Sequence, residues 1–401
     1  MSARPADRSS QAEPGARPQA AASPQTQAAL SRTLARHPRT LGGDPVRTFR
    51  PTVSLSHMVL GNEANAQQLA PKKKPSWLKA RVPGGEAFKK TKATVDAHRL
   101  HTVCEEAACP NMGECWARGV ATIMILGDTC TRACGFCNVK TGKPPVTDRD
   151  EPRRVADALR GSGLRHIVIT SVDRDDLPDG GAGIWAETIL RVRDACPDMS
   201  VEVLIPDFQG DAAALQMVID ARPHIIAHNM ETVKRCHPAV RPSARYERSI
   251  EVLRRIKEGG VVAKTGIMVG IGERTREVYA LFDDLIAMSR PETGPMAGDP
   301  VDIITVGQYL QPTRNHLPID RWVHPDEFAE YERVGLDKGF KVVQSGPLVR
   351  SSYLADAQAD KLTTIEAERS ANAGASATGD ADAVKVSAVN DLIRLAEQRR
   401  A

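Results

Sequence analysis

The sequence predicts an α/β chain built as a partial (β/α)6 TIM-like barrel, with N-terminal and C-terminal extensions covering the active site. Between about residues 121 and 345, short β-rich apolar runs alternate with amphipathic stretches of helical length, the pattern that βαβ units and a parallel sheet produce. Six such repeats occur. No Gly-rich dinucleotide fingerprint follows the first strand, which counts against the alternative, an open doubly wound sheet.

The strand candidates are Thr122 to Leu126, His166 to Thr170, Val201 to Ile205, His224 to Ala227, Val262 to Met268 and Val301 to Val306. Between them, helical spacing is expected over Pro152 to Arg160, Ala182 to Ala195, Asp211 to Ala221, Tyr246 to Glu258 and Thr275 to Met288. In barrels of this kind the chemistry gathers where strands end and loops begin.

Outside the repeats the composition changes. Residues 1–70 are rich in Ala, Pro, Gln, Ser and Arg without an apolar period, so they are expected to be a disordered basic extension. Asp7 and Glu13 fit a mitochondrial transit peptide poorly. Residues 71–120 read as loops and short helices carrying the first three cysteines, suited to lie over an active site. The barrel is assigned to 121–356. From 357 to 401 the sequence reads as a Ser/Ala/Gly/Asp linker followed by a peripheral helix, Ala383 to Arg400.

The 401 residues carry 41% hydrophobic and 26% charged side chains and a net charge of +4, as ordinary soluble chains do. That charge is uneven, about +11 over residues 1–99 and about −7 over the rest. The basic arm lacks interleaved aromatics, so no nucleic-acid partner is expected. No apolar run approaches membrane-spanning length and no signal peptide opens the chain. The protein therefore reads as soluble, with no membrane partner, and as cytoplasmic, or of the mitochondrial matrix if eukaryotic. Eight cysteines in such a chain point to metal or redox chemistry, because disulfide frameworks belong to small secreted domains.

Six of the cysteines fall into two sets. Cys130, Cys134 and Cys137 lie within eight residues just after the first strand. Three thiolates leave one iron of a four-iron cluster open to a substrate or cofactor. Zinc asks for four ligands, usually from two Cys pairs, and the loop offers no second pair; a zinc site or a group of buried cysteines is the alternative. A disulfide oxidoreductase would need only two. Cys104, Cys109 and Cys115 form the upstream set, with spacings of four and then five residues. Cys196 and Cys236 stand singly and read as small buried hydrophobes.

The three-then-two spacing resembles that of the radical S-adenosylmethionine enzymes. The full set, Cys104-x4-Cys109-x5-Cys115, Cys130-x3-Cys134-x2-Cys137 and Arg350-Ser351-Ser352-Tyr353, resembles the lipoyl synthase family. So do Ile125-Leu126-Gly127-Asp128, Asp173-Arg174-Asp175-Asp176-Leu177 and His228-Asn229-Met230-Glu231-Thr232-Val233, and the likeness runs from about Lys73 to Gln358. The resemblance implies two 4Fe-4S clusters. One sits on Cys130, Cys134 and Cys137 and cleaves S-adenosyl-L-methionine; the auxiliary one sits on Cys104, Cys109 and Cys115, completed by the oxygen of Ser352. Biotin synthase, a rival, would lack the upstream triplet and the Arg-Ser-Ser-Tyr end. A non-catalytic cluster carrier would not need the barrel.

For the cofactor, Thr170, Ser171 and Asp173 are expected to accept from its amino group, and Asn229 and Glu231 to reach its ribose or methionine moiety. Arg241 suits the carboxylate. Gly266 and Met268 resemble the adenine-contact segment, where glycine permits close backbone approach, and Phe136 joins the cofactor contacts on the strength of the resemblance. The implied reaction is sulfurtransferase chemistry. A 5′-deoxyadenosyl radical removes hydrogen from carbons 6 and 8 of an octanoyl chain on a carrier lysine, and the auxiliary cluster gives two sulfur atoms. The implied partners are octanoylated lipoyl carrier domains, namely E2 subunits of 2-oxoacid dehydrogenases and the glycine cleavage H protein. A ferredoxin- or flavodoxin-type electron donor and an iron-sulfur carrier for cluster repair complete them.

Overall fold

The computed structural model describes residues 74–80, 84–107, 109–118, 120–144, 146–294 and 296–374. The expected basic extension and the Ala383 to Arg400 helix lie outside them. In chain order the elements begin with α1 (Glu86–Ala97), β1 (His101–Thr102), α2 (Val103–Glu106) and α3 (Met112–Ala117). They continue through β2 (Thr122–Ile125), β3 (Thr129–Cys130), β4 (Lys140–Thr141), α4 (Glu151–Leu159), β5 (His166–Ser171), α5 (Ala182–Ala195) and β6 (Ser200–Leu204). Next come α6 (Ala212–Asp220), β7 (Ile225–Ala227), α7 (His237–Val240), α8 (Tyr246–Glu258) and β8 (Val262–Val269). The last are α9 (Thr275–Met288), β9 (Ile303–Gln308), α10 (Pro325–Lys338), β10 (Val342–Gly346) and α11 (Ala355–Gly374).

The main sheet runs β1-β2-β5-β6-β7-β8-β9-β10. Every neighbour from β2 onward is parallel, and β1 adds an antiparallel edge. The strand order follows the chain without reversal. A doubly wound sheet must reverse at a switch point, so this is the open barrel that the alternating pattern predicted. All six expected strands are present, shifted by at most two residues at either end, and three of the five expected helices start and stop where predicted. Local chemistry explains the boundaries: the Asp211 carboxylate accepts from the N–H groups of Ala213 and Ala214 to start α6.

Two elements exceed the prediction. The strand β10 extends the parallel series to seven, preceded by α10, which begins at Pro325 and ends at Gly339 with φ of 115°. Only two β-branched residues open β10 before Gln344, Ser345 and Gly346, so its apolar signal is weak. The linker expected from 357 is also corrected, because α11 is helical from Ala355 through Gly374. Ala359 and Leu362 of α11 pack on Ile225, Val262, Ile303 and Val342, the first residues of four strands. That buried apolar face overrides the weak helix period of a Ser/Ala/Asp-rich stretch. The C-terminal extension is thus divided, with α11 at the N-terminal ends of the strands and the loop before it near the upstream cysteines.

Two fully buried ion pairs tie the barrel together: Lys264 of β8 to Glu202 of β6, across β7, at 2.7 Å, and Lys257 of α8 to Asp302 just before β9 at 2.7 Å. A buried charge stripped of its partner is far costlier than the pair is worth. Glu202→Ala is therefore expected to lower stability by about 3–5 kcal/mol in urea unfolding, while Glu202→Leu with Lys264→Met should recover most of the loss.

Candidate functional site

Short bridges pin the loop that carries Cys130, Cys134 and Cys137. At its base β3 and β4 pair in parallel, and Gly142 N–H donates to the Cys130 carbonyl at 2.8 Å. Midway, Gly135 N–H donates to the Val240 carbonyl at 3.0 Å and its own carbonyl accepts from Leu317 N–H at 2.9 Å. His316 Nε2 lies 2.9 Å from the Cys137 carbonyl. A Cβ at 135 would come within 2.8 Å of the Leu317 side chain, so glycine lets the segment after β9 close over the loop. Phe136 packs half-buried against the core.

The three thiols are sunk among these segments. Burial first, then the Asp173 carboxylate, pushes Cys130 up to about 12; burial pushes Cys137 up to about 11 and Cys134 higher still. They stay protonated until a metal cation replaces the proton. Two N–H groups already point at Cys130 Sγ, from Arg132 at 3.4 Å and from Asp173 at 3.3 Å. Such donors suit a sulfur that carries negative charge.

The predicted cofactor residues line the neighbouring strand ends. Thr170 Oγ1 is engaged, donating to the Leu204 carbonyl at 3.1 Å. Ser171 Oγ and Asn229 Oδ1 are buried with no hydrogen-bond partner among the described residues, as acceptors kept for a ligand would be, while Asp173 Oδ1 lies 3.3 Å from Arg132 Nη1. Glu231 adopts a left-handed φ of 64°, a strain that functional sites store. Its N–H donates to the Gly266 carbonyl and its carbonyl accepts from Met268 N–H, which ties both to the half-buried Met268 side chain. Burial raises Glu231 and Asp173, with Arg241 opposing both. Arg241 itself is buried and spends one nitrogen on the Asn229 carbonyl at 2.6 Å. Gly266 leaves room for the protein's own side chains: an added Cβ would meet Thr305 Oγ1 at 2.5 Å and Asn229 Oδ1 at 3.0 Å.

Upstream, Cys104, Cys109 and Cys115 converge through short helices. Cys109 N–H donates to the Cys104 carbonyl at 2.9 Å, and the three thiols share an apolar cluster with Trp116 and Tyr353. Burial, followed by its Cys neighbours, pushes Cys115 up to about 12, against a hydrogen bond from the Leu354 backbone. Burial lowers Arg350, and the neighbouring Cys109 sulfur opposes that shift. Asn111 Nδ2 donates to the Leu348 carbonyl at 2.5 Å. Residues on either side of Ser351 and Ser352 therefore reach the upstream triplet, although 235 residues or more separate them in sequence.

The two cysteine regions are joined by Asn138 Nδ2, which donates to the Glu106 carbonyl at 2.9 Å. Cys196 lies at the end of α5 and Cys236 before α7, outside both groups. Sequence reasoning missed Arg132, Asp175, Asp207 and Arg248, a buried ion network beside Cys130. The Asp173-Arg174-Asp175-Asp176 run was its only visible trace. It also missed His316 and Leu317, which sit in an unstructured stretch with no motif. Among the described residues no three His, Cys, Asp or Glu side chains converge tightly enough to hold a single ion. Two triplets of buried and half-buried thiols, one with two N–H donors on a sulfur, fit ligands that each bind a different iron of a cluster.

An open parallel barrel with a three-thiol loop at its first strand end defines a radical S-adenosylmethionine enzyme. The superfamily model of that name matches residues 124–285, and the model of the N-terminal domain of lipoyl synthase matches residues 53–109. Lipoyl synthase of Rubrobacter xylanophilus is 55% identical over 289 residues, 72% of this chain and 87% of the relative. That of Parabacteroides distasonis is 54% identical over 284 residues, 71% of this chain and 97% of the relative. Among solved structures, Streptococcus suis SuiB bound to S-adenosylmethionine aligns with a TM-score of 0.43 at 10% identity, over 59% of this chain and 54% of that one. The chain belongs to the lipoyl synthase family. It is a sulfur-inserting enzyme that uses S-adenosyl-L-methionine and two 4Fe-4S clusters and acts on lipoyl carrier proteins.

Packing at Gly307 tests the link between the barrel and the Arg350 loop, since a Cβ there would lie 2.0 Å from the Val349 carbonyl oxygen. Gly307→Ala must push this loop away from the upstream cysteines. Iron content per chain is expected to fall by roughly half, from two four-iron clusters toward one, with S-adenosylmethionine cleavage retained.

Proposed function

We propose that Cys130, Cys134 and Cys137 hold the cofactor-cleaving cluster, and that Cys104, Cys109, Cys115 and the oxygen of Ser352 hold the auxiliary one. The observation that carries the second assignment is the approach of Arg350, Tyr353 and Leu354 to Cys109 and Cys115. When bound, the clusters supply the electron that splits the cofactor and the sulfur that enters the product. The chain's own residues position and exclude. Ser171, Asp173 and Thr170 face the cofactor's amino end, Arg241 its carboxylate, and Asn229 and Glu231 its ribose or methionine moiety. Phe136, Gly266 and Met268 shape the adenine contact.

The proposed substrate is an octanoyl-lysine on E2 subunits or the glycine cleavage H protein, thiolated at carbons 6 and 8. A ferredoxin or flavodoxin would reduce the first cluster, and an iron-sulfur carrier would rebuild the second. The units proposed are the extension 1–70, the auxiliary-ligand segment 71–120 and the barrel 121–356. Kinship with bacterial enzymes favours the cytoplasm. No helix among the described residues is long and apolar enough to cross a membrane.

Replacing Cys130, Cys134 and Cys137 together with Ala should leave one cluster and abolish cofactor cleavage, as read by Mössbauer spectra and release of 5′-deoxyadenosine. Retention of both clusters would refute the assignment. Cys196→Ser and Cys236→Ser should keep the iron, with a stability loss at the buried Cys236.

A hydroxyl oxygen is a harder and weaker ligand for cluster iron than a thiolate. Ser352→Cys should therefore assemble both clusters and cleave the cofactor, yet release little lipoyl product by mass spectrometry, because its iron no longer leaves readily. Ser351→Ala should be milder. Parental rates of product from Ser352→Cys would end the sacrificial role of the serine-held iron.

A further inference from the structure

We infer that Arg132 is a positioning residue for the cofactor-cleaving cluster, fixing the N–H donors aimed at Cys130 Sγ and balancing the carboxylates that crowd this sulfur. This rests on the assignment of Cys130, Cys134 and Cys137 above. Arg132 is 4% exposed, and its guanidinium meets carboxylates from two strand ends. Its Nε and Nη2 donate to Asp175 at 2.7 and 2.8 Å, and Nη2 also donates to Asp207 at 2.7 Å. Nη1 lies 3.3 Å from Asp173 Oδ1. Asp173 and Asp175 follow β5, while Asp207 follows β6, where Arg248 takes its other oxygen at 3.1 Å. One side chain of the cysteine loop thus ties that loop to two neighbouring strand ends.

The tie acts on the sulfur. Both N–H groups pointing at Cys130 Sγ belong to Arg132 or to its partner Asp173. Thr131 reinforces the same contact, donating through N–H and Oγ1 to the Asp173 carbonyl at 3.0 and 2.9 Å and accepting from Asp175 N–H at 3.0 Å. Asp207 sits before Phe208 and Gln209, whose φ angles are 44° and 54°. Two consecutive left-handed residues other than glycine persist only where their surroundings hold them, and the Asp207 carboxylate, paired with Arg132 and Arg248, braces the turn by accepting from Gln209 N–H at 3.0 Å.

Charge is the second half of the role. Asp173 Oδ2 lies 3.8 Å from Cys130 Sγ, so a carboxylate stands against a sulfur that must become a thiolate. Arg132 offsets that repulsion and, with Nη1 3.3 Å from Asp173 Oδ1, fixes the carboxylate proposed above to face the cofactor's amino end. Hydrogen bonds to cluster sulfurs and nearby charge set reduction potential. Arg132 therefore governs both the potential of the cluster and the seating of the cofactor.

The test uses the full chain with Cys104, Cys109 and Cys115 changed to Ala, so that one cluster is observed alone. Arg132→Met and Arg132→Lys are compared with this parent for iron content, midpoint potential, the change in electron paramagnetic resonance on adding S-adenosylmethionine, and affinity for it. All three should hold about four irons per chain. Arg132→Met should shift the potential to more negative values and weaken cofactor binding roughly tenfold or more. Arg132→Lys keeps the charge but loses the fork, so its potential should stay near the parent's while binding weakens. Asp207→Asn, which cuts one arm and leaves the arginine in place, should weaken binding in the same direction, and serves if Arg132→Met does not fold. Unchanged potential and affinity in Arg132→Met at full iron content, or unchanged affinity in Asp207→Asn, would overturn the role of Arg132 alone. A parent without a cofactor-responsive cluster would overturn the assignment of the three cysteines and this role with it.

Discussion

Seven parallel strands taken in chain order deliver their carboxyl ends to one rim, and the chemistry of this protein depends on that constraint. Each strand contributes one short loop: the cysteines after β2, the acidic run after β5, Asp207 after β6, Asn229 and Glu231 after β7. Parallel order makes these loops neighbours whatever their separation in sequence. The opposite ends of β7 to β10 are covered by α11 through apolar contacts and an ion pair between Lys341 and Glu366, so one end of the sheet supplies stability and the other carries polar, partly unsatisfied groups.

Burial then sets the electrostatics of the rim. Thiols at both triplets are raised by desolvation, as are Asp173 and Glu231. Burial of this kind disfavours the charged forms, and an adjacent cation works against it. Arg132 and Arg241 oppose that shift at Asp173, and Arg241 opposes it at Glu231.

Much of this was legible because it is local. Strand and helix periods, the cysteine spacings and the Arg-Ser-Ser-Tyr run are contiguous patterns, and the fold class followed from their alternation. What stayed hidden is non-local or energetically indirect. Nothing around Arg132 announces that its side chain will be buried against acids 43 and 75 residues away. His316 and Leu317 cover the cysteine loop through a ring nitrogen on the Cys137 carbonyl and a backbone N–H on the Gly135 carbonyl, contacts that no motif marks. The α11 helix was read as a linker because its small polar residues look flexible, whereas a few apolar side chains at helical spacing sufficed once a sheet end was there to receive them.

An enzyme that inserts sulfur with the help of two clusters would need the residues that hold them kept at a fixed separation. Three features fix it here. The Asn138 side chain joins the downstream cysteine loop to Glu106 in the upstream segment. The Asn111 side chain fastens that segment to the loop before α11, and Gly307 in β9 lets the backbone of the same loop press directly on the sheet. Both triplets are therefore referenced to the same strands rather than to each other through flexible chain. The short hydrogen-bonded turns around Cys104, Cys109 and Cys115 set the shape of the upstream thiol group through the backbone, so that its geometry does not depend on the long loops that surround it.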